Sequence, residues 1–242
     1  MSSLYLVRHG QAGTRNAYDS LSELGRQQSR LLGDYFVSQR LEFHAVFAGG
    51  MQRQQQTAAE VVGAFRAANV PIAELVVDDQ WNEFDLSHVY EELAPLLCEA
   101  DPEFREEYEQ MRREVMQSNG AHDAEVHRRW RPCDTKIVEA WITQRFPYSG
   151  ELWDQFCARV NSCVTRLGTM PRNTNVLVFT SATPTGILTG RALDVSDKRV
   201  RQLAGVLYNS SYTTLRINGD QLQLFQFNAV PHLREVNLRT HR

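Results

Sequence analysis

Two runs, Leu4-Tyr5-Leu6-Val7 and Val176-Leu177-Val178-Phe179, are apolar at every position and four residues long. They are too short for helices of their own and fit strands buried on both faces of a sheet. Between them the apolar period lengthens. Leu24, Leu31, Leu32, Tyr35 and Phe36 lie on one helical stripe behind Ser22, a plausible N-cap. His44-Ala45-Val46-Phe47 reads as a second strand. Ala58, Val61, Val62 and Phe65 form one face of a helix starting near Met51, and a third strand fits 73–77. Strand–helix alternation of this kind implies parallel strands joined by right-handed crossovers, hence an α/β fold.

From 86 to 145 the pattern changes. Charges crowd in, as at Arg105-Glu106-Glu107 and Arg112-Arg113-Glu114, glycines are few, and no strand pattern survives. Helices are expected, with solvated charged faces and breaks at Asn119-Gly120 and Pro132. Helical spacing returns with Phe156, Val160, Val164 and Leu167, which makes Cys157 and Cys163 core fillers. After the second apolar run, Thr183-Pro184 suits the N-cap and first position of a helix. Near the end, 213–217 and 222–227 flank Asn218-Gly219, a hairpin signal expected to close one edge of the sheet.

Composition narrows the classes. The chain has 242 residues, 42% of them hydrophobic, and a net charge of −3. That is enough for one large domain with an insertion, without a basic field for nucleic acid or anionic lipid. No apolar run nears the ~20 residues of a membrane span, and the N-terminus enters a strand without a basic-then-apolar export signal. Cys98, Cys133, Cys157 and Cys163 show no zinc spacing and read as reduced thiols of a cytoplasmic protein. His122 and His127, five apart, do not share a helix face and read as surface residues. No metal or other cofactor is expected, and no spacing sets an oligomeric state.

In open α/β sheets, ligands sit in the crevice at the carboxyl ends of the strands. The first strand stops there at Arg8-His9-Gly10. Arginine offers a charged fork to phosphate, a neutral imidazole beside it can attack phosphorus, and glycine turns the chain away without a side chain. The same residues fit a strand ending in two solvated polar groups. Arg53 falls in the first turn of the second helix, where backbone N–H groups favour an anion. By itself it also fits a surface position in a Gln-rich turn. Gly13 and Asn16 suit a loop near a ligand.

Leu6-Val7-Arg8-His9-Gly10 resembles the signature of the histidine phosphatase (phosphoglycerate mutase-like) superfamily. Asn16-Ala17-Tyr18-Asp19 and Leu21-Ser22-Glu23-Leu24-Gly25-Arg26-Gln27 resemble its continuation into the first helix. The family shows Ser-Pro-Leu-x-Arg-Ala-x-Gln-Thr-Ala at the next helix. Arg53, Gln56, Thr57 and Ala58 match in register, whereas Ala48-Gly49-Gly50-Met51 departs from it. Matching motifs lie in 4–62, around 81–84 and, more weakly, in 149–230. The resemblance implies a three-layer α/β/α sandwich with a mostly parallel central sheet. It is expected as a single domain over 1–242 with 86–145 as an inserted helical cap over the catalytic edge. It further implies His9 as a nucleophile that becomes phosphohistidine, and Arg8 and Arg53 as a phosphate clamp, with Asn16 among the substrate-binding residues. The family carries an acid–base carboxylate after the third strand. Glu83, between Trp81 and Phe84, is the candidate, because apolar neighbours keep a carboxyl protonated near neutrality. Asp78, Asp79 and Asp85 compete for that role.

One departure bears on rate. The family places Ser/Thr-His-Gly after the second apolar run, and its histidine stabilises the transferring phosphoryl group. Here Thr180-Ser181-Ala182 puts Ser181 in its place. The pattern resembles a bacterial subset with Thr-Ser-Gly-Gly, with Ala182-Thr183 for the glycines. Serine brings one hydrogen bond and no charge, a loss of about 10²–10³ in rate for a transition-state donor, which free N–H groups over 182–185 would partly offset. Three activities fit: a metal-independent phosphatase of small phosphorylated substrates, a phosphomutase, or a weakened phosphate or phosphoprotein binder. The retained His9 and Glu83 favour catalysis, and hydrolysis ranks first.

Overall fold

The computed structural model describes residues 2–13, 19–117 and 124–241. In chain order the elements are β1 (Ser2–Arg8), α1 (Glu23–Ser38), β2 (Ala45–Ala48), α2 (Gln52–Ala67) and β3 (Leu75–Val77). Helices α3 (Leu86–Ala100), α4 (Pro102–Gln117), α5 (Ala124–Ile142) and α6 (Trp153–Leu167) follow. The chain ends with β4 (Asn175–Thr180), α7 (Ala182–Leu193), α8 (Asp197–Gly205), β5 (Tyr212–Asn218) and β6 (Gln221–Ala229). The described residues fall into two compact units, one drawn from 2–13, 19–83 and 159–241, the other from 84–117 and 124–158.

The first unit is built on a six-stranded sheet of order β3-β2-β4-β1-β5-β6 flanked by helices, an α/β fold. β1, β2, β3 and β4 run parallel, and β5 and β6 form an antiparallel hairpin against β1. The two all-apolar runs are the adjacent central strands, with Leu6 opposite Val178 and Arg8 opposite Thr180. Side chains alternate between faces. Val7, Leu177 and Phe179 join Leu32, Phe36, Val61, Val62 and Phe65 of α1 and α2 in one core. Leu4, Leu6, Val176 and Val178 are buried too, and α7 packs against β1, β5 and β6. Each such side chain contributes ~1.5–3 kcal/mol on burial, so this strand pair anchors the fold.

Several local expectations change. β3 covers only Leu75–Val77 and lies at an edge, with Val76 and Val77 about half exposed. The hairpin loop is Gly219-Asp220, one residue later than expected, because Asn218 pairs with Gln221 and Gly219 takes φ +58°. That is a positive φ at the first central position alone, the pattern of a type II′ turn. Cys163 is buried, whereas Cys157 is only half-buried.

In the second unit, 86–145 holds the three helices α3, α4 and α5. Pro132 does not break the chain. It lies on the exposed side of α5, where it forfeits one backbone bond, while the next turns are held by buried Cys133, Ile137, Ala140 and Trp141. Phe84 stacks on Trp141 at 4.5 Å, and Trp141 meets Trp153 edge-on. Lys136 pairs with Glu107 at 3.2 Å. The residues 118–120 and His122 lie outside the described residues, as does the side chain of His127. Among the described residues, no helix is long and apolar enough to cross a membrane.

Candidate active site

The carboxyl ends of β1, β2 and β4 sit side by side and deliver the chemistry. His9 N–H donates to Thr180 C=O, and Gly49 N–H donates to Phe179 C=O, so the strands feed their next residues into one place. Gly10 leaves no room for a side chain: a Cβ there would lie 2.4 Å from Gly25 O in α1. Its N–H donates instead to Thr57 Oγ1 of α2.

Arg8, His9 and Arg53 are 5%, 4% and 6% exposed. The His9 Nδ1 atom lies 2.8 Å from Gly10 O, and Arg53 Nε–H donates to Nε2 at 3.2 Å. A carbonyl only accepts and a guanidinium only donates, so Nδ1 carries the proton and Nε2 the lone pair. Burial first, then the charges of Arg53 and Arg8, push the His9 pKa well below the ordinary 6.5. The ring is therefore neutral at physiological pH, the state in which it is a nucleophile.

The arginines are held from behind. Arg8 Nη1 donates to Leu207 C=O. Arg53 Nη1 pairs with Asp19 Oδ1 at 2.8 Å, and the second oxygen of Asp19 accepts the Gln52 N–H at the start of α2. The His9 carbonyl accepts Ser210 N–H at 3.1 Å and Asn209 Nδ2 at 3.5 Å. Ser210 Oγ in turn meets His232 Nε2 at 2.8 Å.

Glu83 follows a short 3-10 helix, Asp79–Trp81. Its Oε2 accepts Thr183 N–H at 3.1 Å. This overturns the expected cap of α7. The helix begins at Ala182, its N-cap is Ser181 in extended conformation, and Ser181 makes no capping bond. The carboxylate of Glu83 caps the first turn from another element, so the hydroxyl of Thr183 is not needed there, and the Thr183 N–H is already engaged. Of the competing carboxylates, Asp78 pairs with Arg166 at 2.8 Å, and Asp79 accepts from Asn82 at 3.2 Å. Asp85 caps α3 through His88 N–H. Arg159 grips the loop by Gln80 O at 2.8 Å and Asn82 O at 3.2 Å.

Ser181, 1% exposed, accepts Gln54 Nε2 at 2.9 Å. Contacts thus run from His9 to Arg53, through its neighbour Gln54 to Ser181, and along α7 to Glu83. Asn16 lies outside the described residues. Sequence reasoning did not pick out Asp19, Gln54, Thr57 or Asn209 as parts of this network. Thr57 carried a signal in its match to the second-helix motif, and Asp19 one in the stretch that resembles the family's continuation. Among the described residues, no group of three His, Cys, Asp or Glu side chains is placed to hold a metal ion.

The sequence profile described as histidine phosphatase superfamily (branch 1) matches residues 4–144 and 134–230. No curated protein sequence matches the chain. Solved structures are alike in fold at low identity. YhfR of Bacillus stearothermophilus is 18% identical at a TM-score of 0.64, covering 97% of this chain and 100% of its own. A phosphoserine phosphatase mutant of Entamoeba histolytica in complex with phosphoserine is 14% identical at 0.61, over 96% and 100%. A mycobacterial glucosyl-3-phosphoglycerate phosphatase is 17% identical at 0.58, over 94% and 98%.

Proposed function

Since the chain belongs to the histidine phosphatase superfamily, we propose that it hydrolyses small phosphomonoesters without a metal, through a phosphohistidine on His9. The observation that carries this reading is the state of His9: buried, neutral, with the lone pair of Nε2 turned to the Arg53 guanidinium. Nε2 attacks phosphorus while Arg8 and Arg53 hold the equatorial oxygens, and the P–O bond to the leaving group breaks. Glu83 gives its proton to the departing oxygen. The resulting carboxylate then takes a proton from water, whose oxygen attacks the phosphohistidine and releases phosphate with His9 restored. Ser181 supplies a hydroxyl where the family has a second histidine, and substrate selection falls to the helices of 86–145.

The structural relatives named above support hydrolysis over phosphoryl migration, since two of them are phosphatases, one in complex with phosphoserine. The cysteine usage supports a cytoplasmic setting, and all four thiols are free. The test is an aryl phosphate assay of the wild type and His9→Ala, with and without chelator. Turnover should fall by ~10⁴-fold or more in the variant, and chelator should leave the wild type unchanged. Hydrolysis that survives His9→Ala overturns the nucleophile, and activity lost to chelator and restored by magnesium or zinc overturns the metal-free mechanism.

A further inference from the structure

We propose that Gln54 is a positioning residue that sets Glu83 against the histidine side of the site, through one carboxamide shared between Ser181 and the loop of Trp81. Gln54 directly follows Arg53 on α2 and is 0% exposed. Its Nε2 donates to Ser181 Oγ at 2.9 Å and to Trp81 O at 3.4 Å. Both partners lie two residues before an anchor of Glu83: Trp81 two before Glu83 itself, Ser181 two before Thr183, whose N–H holds the carboxylate at 3.1 Å. One amide therefore ties the main chain of Glu83 and the helix start that holds its side chain to the turn that carries Arg53. Thr180 Oγ1 closes the same knot on Trp81 O at 2.6 Å.

A second observation points the same way. A Cβ at Gly49 would lie 2.0 Å from Gln54 Oε1 and 2.8 Å from Asn82 Oδ1. Gly49 thus makes the room that the carboxamide fills. Oε1 finds no hydrogen-bond partner among the described residues, so the N–H group alone orients the amide. Gly49, Gln54 and Ser181 each differ from the motifs the chain otherwise follows, and here Gln54 lies against both of the others. They form a single replacement: a glycine opens space, a glutamine enters it, and a serine receives its N–H. A histidine at 181 would need the volume that Gln54 occupies.

The inference rests on Glu83 being the acid–base group, and the experiment separates the two ideas. Gln54→Met keeps the volume and removes both N–H donors. Its kcat on an alkyl phosphate should fall by ~10-fold or more beyond any loss on an aryl phosphate, because only the poor leaving group needs the proton of Glu83. Inhibition by vanadate, which reads the arginine clamp, should hold within ~3-fold, and the melting temperature reports that the chain is folded. A Gln54→Met enzyme with wild-type kcat on both esters overturns the positioning role. Glu83→Gln is run beside it: if that variant shows no leaving-group preference, the acid assignment falls and not the Gln54 tie. The coupling is then still read from the second arm. Ser181→His alone should lose activity on the aryl ester, and Gln54→Ala/Ser181→His should recover ~10-fold relative to it. Strictly additive effects of the two changes overturn the shared pocket.

Discussion

The two sides of the candidate site are held by different means. Around His9, main-chain ties to Gly10 O, Thr180 O and, from Arg8, to Leu207 O are joined by charged side chains: Arg53 on the imidazole and Asp19 on Arg53. Around Glu83 the described ties end mostly on the main chain. Arg159 grips Gln80 O and Asn82 O, Gln54 and Thr180 grip Trp81 O, and the carboxylate itself accepts a backbone N–H. The difference matches the two tasks. In the proposed role, His9 must be neutral before it attacks, and adjacent cations in a dry pocket depress its pKa and keep it so. The proposed acid–base group must change charge twice, and main-chain ties fix the loop that carries it. Charged neighbours bear on the ionisation of His9, and loop anchoring bears on the placement of Glu83.

Breaking the charged side should have the largest effect. Arg53→Lys keeps the cation and loses the planar fork, so kcat/KM on an aryl phosphate should drop by ~10²–10³. The acid limb of the rate profile should stay in place, since a charge still faces His9. Arg53→Gln removes that charge as well. The His9 pKa then rises toward 6.5, and the acid limb should move to higher pH by an amount that kinetics across pH 4–8 will read. Identical profiles for the two variants would mean that burial and the charge of Arg8 set the ionisation of His9 without Arg53.

A smaller loss is expected on the other side. Glu83→Gln retains an oxygen for Thr183 N–H and removes the proton. Alkyl phosphates should slow by ~10²-fold, aryl phosphates by much less. Equal losses would make Glu83 a cap of α7 and move the acid elsewhere in the loop.

How far these sides could be read in advance follows the same division. β1 and β4 were legible because four apolar residues in a row admit few alternatives, and α2 because its face keeps one period. Arg8, His9 and Arg53 stood out only through their motifs. The polar supports did not. Gln28 and Ser29 are buried on α1 although no apolar stripe includes them. Gln28 accepts Gln11 N–H and donates to Leu238 O, 210 residues away in sequence, a pairing without a local signal. Gln54 sits in a run of four glutamines and one arginine that reads as surface. The cap of α7 was misplaced for the same reason: its acceptor, Glu83, lies 100 residues upstream.

The smallest effect on turnover, and the finest probe of the histidine side, concerns His232. It lies behind the His9 loop, 7% exposed, with Nε2 on Ser210 Oγ, and burial pushes its pKa down to about 3. The sign follows from proton binding. Between the unfolded value near 6.5 and about 3, the unfolded chain holds a proton on His232 that the folded chain does not. This contribution to stability is therefore complete above pH 6.5 and is lost as pH falls through that window. His9, also depressed, acts in the same direction. Each such histidine steepens the acid side of the stability curve by up to ~1.4 kcal/mol per pH unit. His232→Gln keeps a polar partner for Ser210 and removes one titrating group. Denaturant unfolding at pH 7.5, 6, 5 and 4.5 should show the variant less stable than wild type at the highest pH and the gap narrowing toward the lowest. A constant gap would show that His232 protonates equally in both states, and that the imidazole behind His9 is open to water.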